Sequence, residues 1–140
     1  MNKFISKLNE GDTYHELFSY SQKDVDNFAE ISGDKNPIHL DEVYASKSIF
    51  GRRIVHGYLG TSIFSKVFAT NFPGEGTIYL KQDLKFLKPM YADQQYKAYF
   101  LVKDIRLNKH RALVLTEIFD SDATLVVSGE ALIQNRNFII

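Results

Sequence analysis

The sequence predicts an α+β fold in which an antiparallel sheet packs on one long helix. A strand-like segment opens the chain, helical segments follow it, and the second half consists of strand-like runs separated by short turns. Because strands joined by short loops pair antiparallel, these runs give a sheet with one face available to cover the helix. No linker, internal repeat or shift of composition divides residues 1–140, which we therefore treat as a single domain.

The first strand and the first helix are predicted from residues 13–33. Residues 13–20 mix aromatic and β-prone side chains, as strands do. Ser21 with Asp24 three positions later resembles a capping box, and apolar residues then recur at helical spacing. Gly33 is predicted to end this helix, because glycine readily adopts the left-handed conformation found there.

Asp34 and His39 are joined by a segment that cannot continue the helix. Pro37 disfavours helical backbone at Asn36, and asparagine tolerates turn geometry, so we predict a rigid, non-repetitive loop over residues 33–39. Such a loop can bring one carboxylate and one imidazole together. This pair suits acid–base chemistry because histidine titrates near neutrality. An aspartate is common in a turn that ends a helix, so Asp34 alone would not indicate catalysis. The prediction of a catalytic site depends on its pairing with His39.

Two more helices are predicted before the sheet. Asp41 is a plausible N-cap for a short helix over residues 42–45, which would place His39 just ahead of that helix. Residues 57–71 form a longer helix with apolar side chains around most of its circumference: Tyr58, Leu59, Ile63, Phe64, Val67 and Phe68. A helix that is apolar on all sides belongs in a core.

Four strands complete the prediction. They are rich in Tyr, Phe, Val, Ile and Leu, are separated by turn-forming residues, and cover residues 77–86, 95–105, 111–119 and 124–134. The last two are close enough in sequence to form a hairpin. The apolar residues 138–140 are expected to dock on the sheet or on a partner chain, with a frayed end as the alternative.

Composition excludes several classes of protein. The 17 basic and 17 acidic residues cancel, which argues against nucleic acid as a partner. The chain has no cysteine, so it lacks disulfides, a thiolate nucleophile and sulfur-based zinc sites. No apolar run reaches the roughly 18 residues that span a membrane. We therefore expect a cytoplasmic location and no membrane partner.

The start of the long helix is a second candidate site. Gly57 would let a ligand carbonyl approach the backbone, and a helix N-terminus offers unpaired N–H groups that suit a developing oxyanion. Packing of a core helix is the ordinary alternative, especially for His56. Ser65 lies slightly more than two turns beyond Gly57 on a related face, although Ser62 has an equal claim from the pattern alone.

Basic and metal-binding candidates are weaker. Two arginines precede the long helix and three lysines accompany a strand, where scattered surface charge is the commoner explanation: Arg52, Arg53, Lys81, Lys85 and Lys88. The four histidines have no paired ligand spacing, so no metal is expected. A glycine-rich phosphate loop and a Gly-x-Ser-x-Gly elbow are both missing from the sequence.

Residues 28–45 resemble the hydratase motif of the MaoC-like dehydratases, and within that family the short (R)-specific enoyl-CoA hydratases. The motif is an aromatic, an aliphatic and a small residue, then Gly-Asp-x-Asn-Pro, an aliphatic, His and, five residues on, a small residue. The chain meets it with Phe28, Ile31, Ser32, Gly33, Asp34, Asn36, Pro37, Ile38, His39 and Ala45. The likeness continues through residues 52–65, 73–80 and 128–131, and so covers nearly the whole chain.

The resemblance implies a hot dog fold, in which an antiparallel sheet wraps around the long helix and two copies form a homodimer with active sites at the interface. It implies a lyase that adds water to trans-2-enoyl-CoA by syn addition, giving (R)-3-hydroxyacyl-CoA, and catalyses the reverse dehydration. The substrate would be an acyl-CoA or an acyl-carrier-protein thioester. Coenzyme A is then part of the substrate and no further cofactor is needed. Fatty acid metabolism, including supply of polyhydroxyalkanoate precursors, is the setting that this activity suggests.

The resemblance also implies residue roles. Asp34 and His39 would be catalytic and hold one water, the Gly57 N–H would bind the thioester carbonyl, and Ser65 would orient the pair. Weaker substrate-binding candidates are Asn36, His56 and Arg52. Which of Asp34 and His39 is the base stays open at this point.

Two other functions compete with the hydratase. A hot dog thioesterase also binds acyl thioesters, although thioesterases of this fold lack the Gly-Asp-x-Asn-Pro-x-His arrangement. A non-catalytic acyl-thioester binding or dimerisation module is the other alternative, against which the intact Asp34 and His39 argue.

Overall fold

An antiparallel sheet covers one face of a 14-residue helix. The computed structural model describes residues 6–140. Its elements are β1 (Thr13–Phe18), α1 (Gln22–Ser32), α2 (Pro37–Leu40), α3 (Glu42–Ser46), α4 (Gly57–Thr70), β2 (Ile78–Gln82), β3 (Lys85–Phe86), β4 (Tyr96–Arg106), β5 (Arg111–Phe119) and β6 (Leu125–Gln134). The predicted α+β layout is therefore confirmed. Among the described residues, no helix is both long and apolar enough to cross a bilayer.

The sheet has the strand order β1-β4-β5-β6-β2, with the short β3 also paired to β6. All its pairings are antiparallel. The two longest are β4 with β5, from Lys97 opposite Phe119 to Arg106 opposite Arg111, and β5 with β6, from Arg111 opposite Gln134 to Phe119 opposite Leu125. Strand β5 alternates between buried and half-buried positions. Because side chains alternate across a sheet, the buried set of β5 forms the floor on which α4 packs. The hairpin of the last two strands is confirmed.

The core is built on α4. Rings of Phe64 and Phe68 pack edge-on against Phe100 of β4, with centroids 5.6 Å and 5.3 Å away. All three side chains are almost fully buried. Each buried phenylalanine contributes about 1.5–3 kcal/mol to the hydrophobic stabilisation of the fold. This packing fixes the axis of α4 on the sheet and therefore the place of its N-terminus.

One side of α4 remains uncovered, so the prediction of a helix buried on all sides is wrong for the single chain. Tyr58 is 72% exposed, and both Ser62 and Ser65 are exposed. A single sheet covers only one face of a helix. The spacing of apolar residues cannot tell whether the other face meets the same chain or another one.

The first helix follows the prediction closely. The Ser21 hydroxyl accepts a hydrogen bond from the Asp24 N–H, and the Asp24 carboxylate accepts one from the Ser21 N–H, which completes the capping box. Gly33 ends the helix with φ +80°. The first strand ends at Phe18, two residues earlier than predicted.

The segment that follows is more regular than predicted. Asn36 caps a helical turn by accepting a hydrogen bond from the Ile38 N–H at 3.1 Å, and Pro37 is the first helical residue. His39 therefore lies inside α2 and not in an irregular loop. The physical reason is that proline at the first position of a helix needs no hydrogen-bond acceptor and has a suitable φ. Asp41 caps α3 as predicted, accepting from the Tyr44 N–H.

The strand predicted over residues 77–86 is divided into β2 and β3. The register shifts between Tyr79 and Lys81. Asp83 then bonds to Glu130 twice: its backbone N–H donates to the Glu130 carbonyl, and its Oδ1 accepts the Glu130 N–H, both at 3.0 Å. Because the Glu130 N–H is taken by a side chain and not by a backbone carbonyl, the regular backbone ladder is interrupted here, before β3.

The C-terminal residues dock on their own chain. Ile139 is fully buried, and the Phe138 carbonyl accepts a hydrogen bond from the Leu8 N–H at 2.7 Å. The His110 ring lies 2.8 Å from the Ile139 carbonyl oxygen. The sequence left open docking on the sheet, docking on a partner chain or a frayed end. In the structure these residues pack on their own chain.

The close approach at Gly129 gives a test of this fold. A Cβ at this position would lie 1.9 Å from the backbone oxygen of Asp83, which cannot swing away as a flexible side chain would. Gly129→Ala should therefore lower the free energy of unfolding by about 1–3 kcal/mol, measured by urea denaturation. Ser128→Ala, one residue earlier, should change it by less than about 0.5 kcal/mol. Equal urea midpoints for Gly129→Ala and the wild type would contradict this packing.

Candidate active site

Asp34 and His39 face each other across a short gap. The Nε2 atom of His39 lies 4.0 Å from Oδ2 of Asp34. The other carboxylate oxygen, Oδ1, accepts a hydrogen bond from the Asn36 N–H at 3.3 Å, which turns Oδ2 toward the imidazole. The predicted convergence of carboxylate and imidazole is present in the structure. A gap of this size fits a water hydrogen-bonded to both groups, since such bonds are about 2.7–3.0 Å long.

The other nitrogen of His39 fixes its tautomer. Nδ1 lies 2.8 Å from the carbonyl oxygen of Ile54, which can only accept, so Nδ1 carries the proton of the neutral ring. Nε2 is then a bare acceptor directed at Asp34. Burial lowers the pKa of His39 from its usual value, the hydrogen bond to Ile54 opposes this, His56 adds to the lowering, and Asp34 also opposes it. The ring is therefore neutral and able to accept a proton near pH 7.

Gly57 is the first residue of α4 and borders a cavity of about 490 Å³. Its N–H has no acceptor within the helix, as expected for a first helical residue. Asp34 and His56 line the same cavity. The remaining wall is mostly apolar, with one lysine: Phe28, Phe50, Ile54, Val55, Tyr58, Phe86, Leu87, Pro89, Met90, Val127 and Lys88. The cavity thus joins a free backbone donor and a carboxylate to an apolar chamber.

Phe86 lies directly above Gly57. A Cβ added at Gly57 would come within 2.7 Å of the Phe86 ring, and Phe86 also meets Tyr58 edge-on at 6.1 Å. The absence of a side chain at Gly57 thus leaves space for the Phe86 ring as well as for a ligand. The sequence gives no sign of this contact, because Phe86 belongs to a strand remote in sequence from the helix.

Four of the predicted site residues are not among those that line this cavity. His39 is one of them, and its ring stacks on His56, which does line the cavity. Asn36 uses its side-chain oxygen to cap α2. Arg52 stacks on the ring of Tyr91, with its guanidinium carbon 3.9 Å from the ring centroid. Ser65 is exposed, and it lies about 12 Å along α4 from Gly57, given a rise of about 1.5 Å per residue. The single chain does not bring Ser65 to the pair, and its orienting role stays a prediction.

His56 is close to both members of the pair. Its Nε2 lies 3.0 Å from the Asp34 backbone oxygen, and its ring stacks on His39 with centroids 3.8 Å apart. The sequence presented His56 as a weak substrate contact or a packing residue. The only hint of a closer role was its position beside Gly57.

Asp34, His39 and His56 have ligand atoms within 4.8 Å of one another, which raises the question of a metal site. The two rings are stacked with an angle of 25° between their planes. Nitrogen lone pairs lie in the ring plane, so stacked rings do not direct them at one ion. Nε2 of His56 is also engaged with the Asp34 carbonyl oxygen. This geometry favours acid–base chemistry over metal binding.

Comparison with known proteins places the chain in a family. The model of the MaoC like domain matches residues 9–121. The chain is 38% identical over 115 residues to the (R)-specific enoyl-CoA hydratase of Aeromonas caviae, covering 82% of this chain and 86% of that protein. It is 37% identical to the 3-hydroxybutyryl-CoA dehydratase of Methylorubrum extorquens, covering 81% of this chain and 72% of that protein.

The structure agrees with these matches. It superposes on the (R)-hydratase of A. caviae, described as involved in PHA biosynthesis, with a TM-score of 0.88 and 36% identity. The alignment covers 91% of this chain and 97% of that one. The chain belongs to the MaoC-like family, and its fold is the hot dog fold, as predicted.

Proposed function

We propose that this protein is an (R)-specific enoyl-CoA hydratase, a hydro-lyase that adds water to trans-2-enoyl-CoA and catalyses the reverse dehydration. The observation that carries the proposal is the pair of acceptors, Oδ2 of Asp34 and Nε2 of His39, 4.0 Å apart beside a cavity that begins at Gly57. The relatives named as (R)-specific enoyl-CoA hydratase and 3-hydroxybutyryl-CoA dehydratase support it. The cytoplasmic location is part of the same proposal.

The two acceptors suit one nucleophilic water. A water that donates one O–H to Asp34 and the other to Nε2 of His39 presents a lone pair to the substrate. As its oxygen bonds to the β-carbon, one acceptor takes a proton, and the pair delivers a proton to the α-carbon on the same face. One O–H bond of the water and the π bond of the C=C are broken, and one C–O and one C–H bond are formed. Because both new bonds form on the same face, the addition is syn. Neutral His39 is already in its proton-accepting form.

The N-terminus of α4 suits the thioester carbonyl. Negative charge moves to the carbonyl oxygen as water adds, because the intermediate has enolate character. The unpaired N–H of Gly57 and the positive end of the helix dipole would stabilise that charge. The apolar walls of the cavity would enclose the acyl chain and limit access of bulk water, which strengthens the hydrogen bond to the oxyanion.

A homodimer is part of the proposal. Strand β2 is at one edge of the sheet and carries apolar side chains that are exposed on both faces: Ile78, Tyr79 and Leu80. Strand β1, at the other edge, alternates between exposed and half-buried positions. An apolar edge strand beside the uncovered side of α4 is a surface that a second copy could bury. Tyr58 and Phe86 belong both to this surface and to the cavity, so the second copy would help to close the site.

Replacing either member of the pair should remove most of the activity. Asp34→Asn and His39→Ala should each lower kcat for crotonyl-CoA hydration on the order of a hundredfold or more, because a positioned acid or base contributes on that scale. The loss of absorbance of the conjugated thioester measures the rate. His15→Ala, on the exposed face of β1, is the matched control and should keep wild-type kcat.

Two results would overturn the hydratase proposal. One is near-wild-type hydration by a folded Asp34→Asn or His39→Ala variant. The other is release of free thiol from acyl-CoA by the wild type without hydration of crotonyl-CoA, which would identify a thioesterase.

A pair of substitutions at Gly57 isolates its N–H. Proline is tolerated at the first helical position, and His56 has the extended backbone, ψ 136°, that a following proline requires. Gly57→Ala and Gly57→Pro both add atoms facing Phe86, but only proline removes the donor. We expect Gly57→Pro to abolish measurable hydration and Gly57→Ala to retain more activity, with melting temperatures recorded for both. Equal activities would contradict the oxyanion role.

The dimer can be tested at the edge strand. Leu80→Asp should shift the protein from dimer to monomer in sedimentation equilibrium, because it places a charge in the proposed interface. Leu17→Asp is the control on the opposite edge strand, where the side chain is also exposed, and it should leave the dimer intact. A monomeric wild type, or a Leu80→Asp variant that stays dimeric, would contradict this interface.

A further inference from the structure

His56 is a buried ionisable group that the mechanism above does not use. Its side chain is only 2% exposed. The ring is held from three directions: the hydrogen bond from Nε2 to the Asp34 carbonyl oxygen at 3.0 Å, the stacked His39 ring at 3.8 Å, and the edge of Phe28 at 4.8 Å. It therefore contacts both members of the catalytic pair.

The hydrogen bonds determine the state of this ring. A carbonyl oxygen only accepts, so Nε2 of His56 carries the proton. Nδ1 is buried and has no hydrogen-bond partner among residues 6–140. The ring is thus a hydrogen-bond donor through Nε2, and Nδ1 is an enclosed nitrogen without a partner in that part of the chain.

We propose that His56 is a positioning residue that sets the geometry of the Asp34–His39 pair, by holding the Asp34 backbone through Nε2–H and the His39 ring by stacking. This inference rests on the proposed hydratase function. It gives His56 a role through its neighbours and not through the substrate. This role also explains why a histidine is buried here with no partner for Nδ1 among the described residues. The positioning needs only the Nε2–H donor and the flat face of the ring.

The two contacts can be separated by substitution. His56→Gln keeps an N–H donor that can reach the Asp34 oxygen but removes the flat ring. His56→Phe keeps a ring to stack on His39 but removes the donor. Displacement of a reacting group by about 1 Å can cost on the order of a hundredfold in rate. We therefore expect His56→Phe to lower kcat by about that factor, with KM within about twofold, and His56→Gln to lose less than about tenfold.

The ionisation of His39 gives a readout that a purely structural role would not move. The groups that face His39 are the Asp34 carboxylate, the His56 ring and the Ile54 carbonyl. Burial lowers the pKa of His39 and His56 adds to the lowering, whereas Ile54 and Asp34 raise it. Removing the His56 ring admits water to the stacked face and removes its electrostatic effect. The pKa of His39 should therefore rise toward its usual value of about 6.5.

The experiment combines kinetics with NMR titration of His39 in the protein without substrate. The acid limb of kcat/KM for crotonyl-CoA and the His39 titration midpoint should both move to higher pH, more in His56→Gln than in His56→Phe. His15→Gln, at an exposed position on β1, should change neither. If both His56 variants fail to fold, Phe28→Leu, which loosens the edge contact with His56, should raise the same midpoint.

The outcomes are distinct from those of the hydratase test. A His56→Phe variant with wild-type kcat, or variants whose His39 midpoint is unmoved, would overturn the positioning role. A wild type that does not hydrate crotonyl-CoA would contradict the hydratase proposal, and the NMR titration would still decide between positioning and simple packing of His56.

Discussion

Hydrogen bonds between residues 34–39 and residues 54–56 join the acid–base pair to the start of α4. Nδ1 of His39 donates to the Ile54 carbonyl, the Ile54 N–H donates to the Ile38 carbonyl, and Nε2 of His56 donates to the Asp34 carbonyl. The Val55 N–H donates to the Met90 carbonyl at 2.8 Å. This bond anchors residues 54–56 to the segment that leads into β4. Because Gly57 directly follows residues 54–56, these hydrogen bonds also set the distance between the Asp34–His39 pair and the free N–H of Gly57.

Burial decides the chemistry of this junction. His39 is 8% exposed, and its one outward nitrogen faces a carboxylate that is itself half exposed. A buried neutral imidazole next to an accessible carboxylate gives two acceptors and no competing donor between them. The buried ring of His39 on one side and the accessible carboxylate of Asp34 on the other would hold and orient a single water.

The two faces of helix α4 have different roles in the structure. Its buried face carries the aromatic core against β4, and its exposed face carries Tyr58, Ser62 and Ser65. The proposed second copy would cover that face together with β2. A helix that appears apolar on most sides in sequence is consistent with this, because such a helix can be buried by two chains as well as by one.

The sequence alone determined the local elements and the identity of the pair. The capping box at Ser21, the stop at Gly33, the cap at Asp41 and the start at Gly57 all depend on residues within a few positions of one another. The helical turn that contains His39 also has a local cause, the Asn36 cap and Pro37, although we predicted an irregular loop there from the sequence. Only the tertiary structure showed that Phe86 covers Gly57 and that Ser65 is exposed in the single chain. It alone revealed that His56 contacts both Asp34 and His39, because its hydrogen bond to Asp34 joins residues 22 positions apart and local spacing carries no information about it.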